Sequence, residues 1–189
     1  MAIAYHITFG AYGFWLPNDP RGSWSDYVHA PRLRRFGPAT KVRTRQSVAH
    51  VEHDYRQRMA AKRELKYPAV VFSGHQIEAV GRGFGKAIEE TGLRVFACAV
   101  MPDHVHFAYA SHERSNGSLV GQLKSRATKQ LNLDSLHPLD GAHTPWAEGH
   151  WEVYLDTEDE VFRAIEYVNQ NPIRGGKTPQ NWPFVISAG

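Results

Sequence analysis

His104 and His106, with Val105 between them, are the first residues whose types and spacing suggest chemistry. They follow the apolar run Val95–Val100 and the turn formers Met101, Pro102 and Asp103. This pattern predicts a strand, a tight connection and a second strand. Successive strand side chains point to opposite faces, so both imidazoles share one face and Val105 takes the other. Two imidazoles on a rigid strand make half of a metal site. In a chain with 11 histidines, the same spacing also arises from two surface histidines on a half-exposed strand. A second pair is Tyr167 and Asn171, four residues apart in a stretch of helical character. That spacing puts them on one helix face, one turn apart. Asn171 offers an amide oxygen suited to magnesium or manganese. Tyr167 offers a phenol that can act as a nucleophile at phosphorus. Each also has a plain structural role open to it: ring packing for Tyr167, a helix end before Pro172 for Asn171.

The elements that must position these residues can be read in order. Ile3, Tyr5, Ile7 and Phe9 alternate as one face of a first strand. Residues 14–24 are rich in turn formers and read as a loop pinned by Trp15 and Trp24. Residues 25–38 read as irregular, and 46–65 as a helix with Val48, Val51, Tyr55 and Met59 on one stripe. A second helix spans 76–91, with Ile77, Val80, Phe84, Ala87 and Ile88 as its apolar face and Gly92 as its stop. The two central strands follow. A third helix, 118–133, is capped by Asn116 or Ser118 and places Leu119, Leu123, Ala127 and Leu131 on one face. Lys124, Arg126 and Lys129 lie elsewhere around it, either in water or on phosphates. A strand at 150–155 leads to a last helix capped by Asp156 or Thr157. Glu158, Asp159 and Glu160 suit its first turn. It runs to about Asn171 and is closed by Pro172, Gly175 and Gly176. Trp182, Pro183 and Phe184 are expected to pack the tail back on the body.

Without the segment at about 25–67, the order is βαββαβ plus one helix, the ferredoxin-like pattern. The expected fold is α+β, an antiparallel sheet with helices on one face. It carries a basic insertion after the first strand and an extra C-terminal helix bearing the tyrosine. The whole chain, 1–189, reads as one domain with an arm at 25–67. In this pattern the first and third strands are central, so His104 and His106 stand where the sheet is stiffest.

The totals narrow the function classes. With 42% hydrophobic residues the chain is globular. No apolar run is long enough to span a membrane, no signal peptide is visible, and a cytoplasmic setting is expected. Cys98 is the only cysteine, so an internal disulfide and a zinc site built on several thiolates are excluded. The net charge is +3, yet residues 32–66 hold 11 Lys and Arg against three acids, or +8. The remainder is therefore −5. A basic segment on an acidic body points to an anionic partner, nucleic acid first; a solvated, arginine-rich loop and helix has the same composition. Arg43, Arg45, Arg56 and Arg58 are the candidate phosphate contacts of this arm.

Taken together, Met101-Pro102-Asp103-His104-Val105-His106 and Tyr167-Val168-Asn169-Gln170-Asn171-Pro172 resemble the HUH-type single-tyrosine transposases. The resemblance is strongest to the REP-associated tyrosine transposase branch. It includes Tyr5-His6-Ile7-Thr8 and the Trp182-Pro183-Phe184 tail, and it covers most of the chain outside about 25–67. It implies metal-dependent cleavage and strand transfer of single-stranded DNA, often beside a hairpin, through a 5′-phosphotyrosine. It implies His104, His106 and Asn171 as ligands of Mg2+ or Mn2+, with Gln170 as the fallback for Asn171, and Tyr167 as nucleophile. It implies single-stranded or hairpin DNA as partner, no membrane, and a monomer or homodimer. An ordinary phenol holds its proton to about pH 10, so the tyrosine needs a proton acceptor that the sequence does not identify. Two other readings stay open: a hairpin DNA- or RNA-binding protein without cleavage, and a metal-dependent hydrolase using water.

Overall fold

The computed structural model describes residues 2–17, 28, 31–38 and 54–186. Four strands form one antiparallel sheet: β1 (Ala4–Gly10), β2 (Val95–Val100), β3 (His104–Ala110) and β4 (Trp151–Leu155). Their order is β2-β3-β1-β4, and every pairing is antiparallel. The first and third strands are central, as the ferredoxin-like pattern requires. The helices are α1 (Tyr55–Arg63), α2 (Gly74–Thr91), α3 (Asn116–Leu133) and α4 (Glu158–Arg174).

Both faces of the sheet are covered. Ile7, Phe9, Val95, Cys98, Val100, Val105, Phe107 and Tyr109 pack under α2 and α3 to form the main core. Phe9, Phe84 and Phe107 meet there with centroids 5.2–6.2 Å apart, each side chain fully buried. Burial of one such ring contributes roughly 1.5–3 kcal/mol. The opposite face is built from small residues, Ala4, Ala97, Ala99 and Ala108, and α4 settles on it through Val161, Ala164 and Val168. Two-sided burial explains why β2 reads as a continuous apolar run, with no polar face showing.

Several helix boundaries differ from those the sequence suggests, each for a local reason. The cap of α3 is Ser115, whose hydroxyl accepts from the Ser118 N–H. The Asn116 side chain is held sideways instead, accepting from Tyr109 Oη at 3.0 Å and donating to Glu152 at 2.8 Å. At the other terminus α4 does not stop at Asn171. It continues through Pro172, which is buried, to Arg174. Gly175 and Gly176 then close it by donating to the Asn171 and Ile173 carbonyls. Pro172 lies in the last turn, where the single backbone bond it removes is a small loss. Ser73 and Gln76 form a reciprocal capping box at the start of α2.

Residues 31–36, expected to be irregular, form a 3-10 helix, Pro31–Phe36. In place of the single helix expected over 46–65, α1 begins at Tyr55, because the extended Asp54 caps it by accepting from the Gln57 N–H; residues 46–53 lie outside the described residues, as does Trp24. The 3-10 helix and α1 share a small core of Leu16, Leu33 and Ala61 with Val28, Phe36 and Leu65. The tail packs back as expected: Trp182 and Phe184 stack on each other, and Ile186 donates to the Val95 carbonyl at the β2 edge.

Candidate active site

The β1–β3 register places Thr8 opposite His106 and Gly10 opposite His104. Val105 faces the core beneath α2 and α3, so both imidazoles turn to the α4 face, as strand alternation predicts. Their centroids are 4.8 Å apart. His106 is buried and His104 half-buried. Gly10 leaves room across from His104: a Cβ there would lie 2.7 Å from Phe14, and the Phe14 ring rests 4.9 Å from the His104 ring.

Tyr167 comes to this place from α4. Its ring lies 5.5 Å from the His106 ring and 5.5 Å from the His6 ring. The two histidine rings stack at 5.3 Å. Tyr167 remains 38% exposed, so a substrate can reach it. Arg174, two helical turns on, holds its guanidinium 5.9 Å from the tyrosine ring. Asn171 shares this helix face, but its amide nitrogen donates to the Tyr167 carbonyl at 2.9 Å. Its Oδ1 is the atom left to act as a donor to a cation. Gln170 is half-buried on the same helix.

No family model matches this chain, and no curated protein matches it. Nine solved chains do match it in fold. One is a REP-associated tyrosine transposase bound to a REP hairpin, with a TM-score of 0.50 and 14% identity, over 97% of this chain and 75% of that one. This chain has the fold of that REP-associated tyrosine transposase. A second match, a candidate transposase from Deinococcus radiodurans R1, has a TM-score of 0.41 and 12% identity, over 94% and 93% of the two chains. At these identities the likeness is one of fold.

Within this fold, the environment of the histidines is low in polarity. Burial lowers the pKa of His6 to about 4. Burial also holds His106 well below the ordinary imidazole value, with His104 and His6 adding to the effect. Both shifts favour the neutral ring near pH 7, which for His106 is the form able to ligate a metal. Among the described residues, no group of three or more His, Cys, Asp or Glu side chains forms a metal cage. The candidate donors are two imidazoles on β3 and, one helical turn beyond Tyr167 on α4, the Asn171 amide oxygen. They fit a divalent cation that keeps open positions for substrate oxygens.

His6, Thr8, Asp103 and Arg174 also belong to this neighbourhood; the first three lie in stretches that carry the resemblance but were given no role there. The signal for His6 and Thr8 is the alternation of β1: if Ile7 and Phe9 face the core, their neighbours face α4. Arg174 lies seven residues beyond Tyr167, hence on the same face.

The basic candidates are dispersed. The Lys124 ammonium donates to the carbonyls of Ala147 and Gly149, both at 2.8 Å, and burial lowers its pKa to about 8. Arg126 is paired with Glu90 at 2.8 Å. These two side chains hold protein partners in this structure; water or phosphate were the two readings open from the sequence. Lys129 is exposed and lines with Lys124, Asn132, Thr144 and Trp146 a groove of about 660 Å³. On α1, Arg56 is exposed and Arg58 lies over the Tyr55 ring at 5.5 Å. Arg43 and Arg45 lie outside the described residues.

Proposed function

We propose that this protein cleaves and rejoins single-stranded DNA beside a hairpin through a covalent 5′-phosphotyrosine at Tyr167. The observation that carries this reading is the meeting of Tyr167 with His106 on one sheet face, from positions 61 residues apart in sequence. The fold shared with a transposase bound to a REP hairpin supports it. The role of the chain follows from its own groups. Tyr167 Oη attacks the phosphorus, the bond to the 3′ oxygen breaks, and the 3′ hydroxyl leaves. The phenol gives up its proton and the leaving oxygen gains one, so protons balance. Arg174 stands where it can meet the anionic phosphate and the phenolate. Phe14 covers one side of His104 and restricts water there. His104, His106 and Asn171 would hold Mg2+ or Mn2+, which when bound neutralises phosphate charge and orients the phosphorus.

The arm belongs beside this site. Phe14 touches His104, and two residues on, Leu16 enters the small core that seats α1. Arg56 and Arg58 on this arm are the groups proposed to take phosphates of the same strand. Such a DNA-processing role is consistent with the cytoplasmic setting expected from the sequence. Among the described residues, no helix is long and apolar enough to cross a membrane.

The test is incubation with labelled hairpin DNA carrying single-stranded flanks, in Mn2+, followed by a denaturing gel. The expected result is a protein–DNA adduct that Tyr167→Phe abolishes while Mn2+ binding persists. Cleavage that continues in Tyr167→Phe would instead indicate a hydrolase using water. Tight binding to hairpins without any adduct would indicate a binding protein.

A further inference from the structure

Each candidate ligand histidine already has one ring nitrogen engaged by the protein. His104 Nδ1 lies 2.7 Å from Asp103 Oδ1. An ionised carboxylate only accepts, so that nitrogen carries the hydrogen. His106 Nδ1 faces two partners, Thr8 Oγ1 at 2.9 Å and His6 Nε2 at 3.2 Å. One N–H can be shared between two acceptors, as three-centre bonds in proteins do. One lone pair on the same nitrogen serves two donors poorly. The geometry therefore favours hydrogen on His106 Nδ1 as well.

The backbone secures these partners. Thr8 stands directly across from His106 in the sheet, and His6 lies two residues along the same face. The Asp103 carbonyl accepts from the Ala11 N–H at 2.8 Å, and Met101 N–H donates to the His104 carbonyl at 2.8 Å. The turn that carries Asp103 is thus tied to both central strands.

We propose that Thr8, His6 and Asp103 are positioning residues that hold His104 and His106 in the Nδ1–H tautomer and reserve both Nε2 lone pairs for one divalent cation. The cation itself rests on the function proposed above. Metal-binding histidines ordinarily donate their second ring N–H to such a partner, and losing it lowers metal affinity about 10–100-fold. Two residues of β1, remote from the His-Val-His motif, then become part of what makes the site competent.

The test has two readouts. Nitrogen NMR of the metal-free protein, with 15N-labelled histidine, reads the tautomer of each ring; both rings are expected to carry hydrogen on Nδ1. Calorimetry with Mn2+ alone then reads affinity in Thr8→Val, which is near-isosteric, and in Asp103→Ala. Each is expected to bind about 10–100-fold more weakly. Thr8→Ser and Asp103→Asn, which keep an acceptor oxygen, should recover most of the loss. Either ring carrying its hydrogen on Nε2 in the wild-type protein overturns the proposal, and this needs no variant to fold. Wild-type affinity in both Thr8→Val and Asp103→Ala overturns it too. Absence of Mn2+ binding in the wild-type protein, with both rings in the expected tautomer, removes the cation and upholds the hydrogen-bonded clamp.

Discussion

His6 and His106 lie against each other between the sheet and α4, and their neutral state has a measurable consequence. The His6 pKa falls from an ordinary 6.5 to about 4 because burial disfavours the charged ring. Between those values the unfolded chain binds a proton that the folded chain refuses. The resulting stability is fully present above about pH 6.5 and is lost as pH falls toward 4. For His6 alone the loss is about 3 kcal/mol, and His106 shifts in the same direction. Urea unfolding of the metal-free protein at pH 7 and pH 5 should show a lower midpoint at pH 5. His6→Phe should flatten that difference; an equally steep fall in the variant would show that His6 does not carry it. At this scale Tyr167 is also tested most directly, because Tyr167→Phe removes one oxygen and leaves the ring packing on His6 and His106 in place.

At the scale of elements, close approach of α2 to α3 sets the shape of the main core. A Cβ on Gly83 would lie 2.5 Å from the Ala127 Cα, so the two helices meet backbone to backbone. Gly83→Ala should destabilise by about 1–3 kcal/mol through overpacking, despite the better helix propensity of alanine. Gly121, on the exposed side of α3, has nothing within 4 Å of its would-be Cβ. Gly121→Ala should stabilise by roughly 0.5–1 kcal/mol. Thermal melts of the two variants should move in opposite directions; a shared direction would mean that helix propensity outweighs packing at Gly83. The alanine face of the sheet has the complementary role for α4. Ala97, Ala99 and Ala108 are fully buried and let Val168 sit close, which brings its neighbour Tyr167 to the histidines.

For the molecule as a whole, charge is distributed unevenly, +8 over residues 32–66 against −5 elsewhere. A small core of Leu16, Leu33 and Ala61 anchors the described part of that segment, and Phe14 links it to the site. Neutralising Arg56 and Arg58 to glutamine should weaken single-stranded DNA binding. It should also shallow the log–log salt slope by about 0.7 per lost phosphate contact. Binding measured from low to moderate salt decides this, and an unchanged slope would take α1 out of the interface. Arg126→Gln is an informative contrast: its guanidinium is already paired with Glu90, so its loss should leave the salt slope nearly unaltered.

Much of the fold was legible in local pattern. The period-two alternation of β1 and β3, the cap offered by Asp156 or Thr157 and the stop at Gly92 define elements within a few neighbouring residues, whereas the Ser73 cap that starts α2 at Gly74 was not read. The ferredoxin-like order then made β1 and β3 central. The histidine pair and the Tyr167–Asn171 face were visible for the same reason, because strand and helix periods are short-range rules. Other features depend on long-range contact. Sequence alone does not show that Thr8 and His6 meet His106, because the β1–β3 register is set by which faces the core accepts. Nor does it show that Lys124 and Arg126 turn to protein partners, because those carbonyls and Glu90 come from distant segments. Pro172 continues α4 where the local rule predicts an end, since only the folded chain reveals a buried seat for that last turn. Local chemistry determined which residues are candidates for a site; packing across the sheet decided which of them meet.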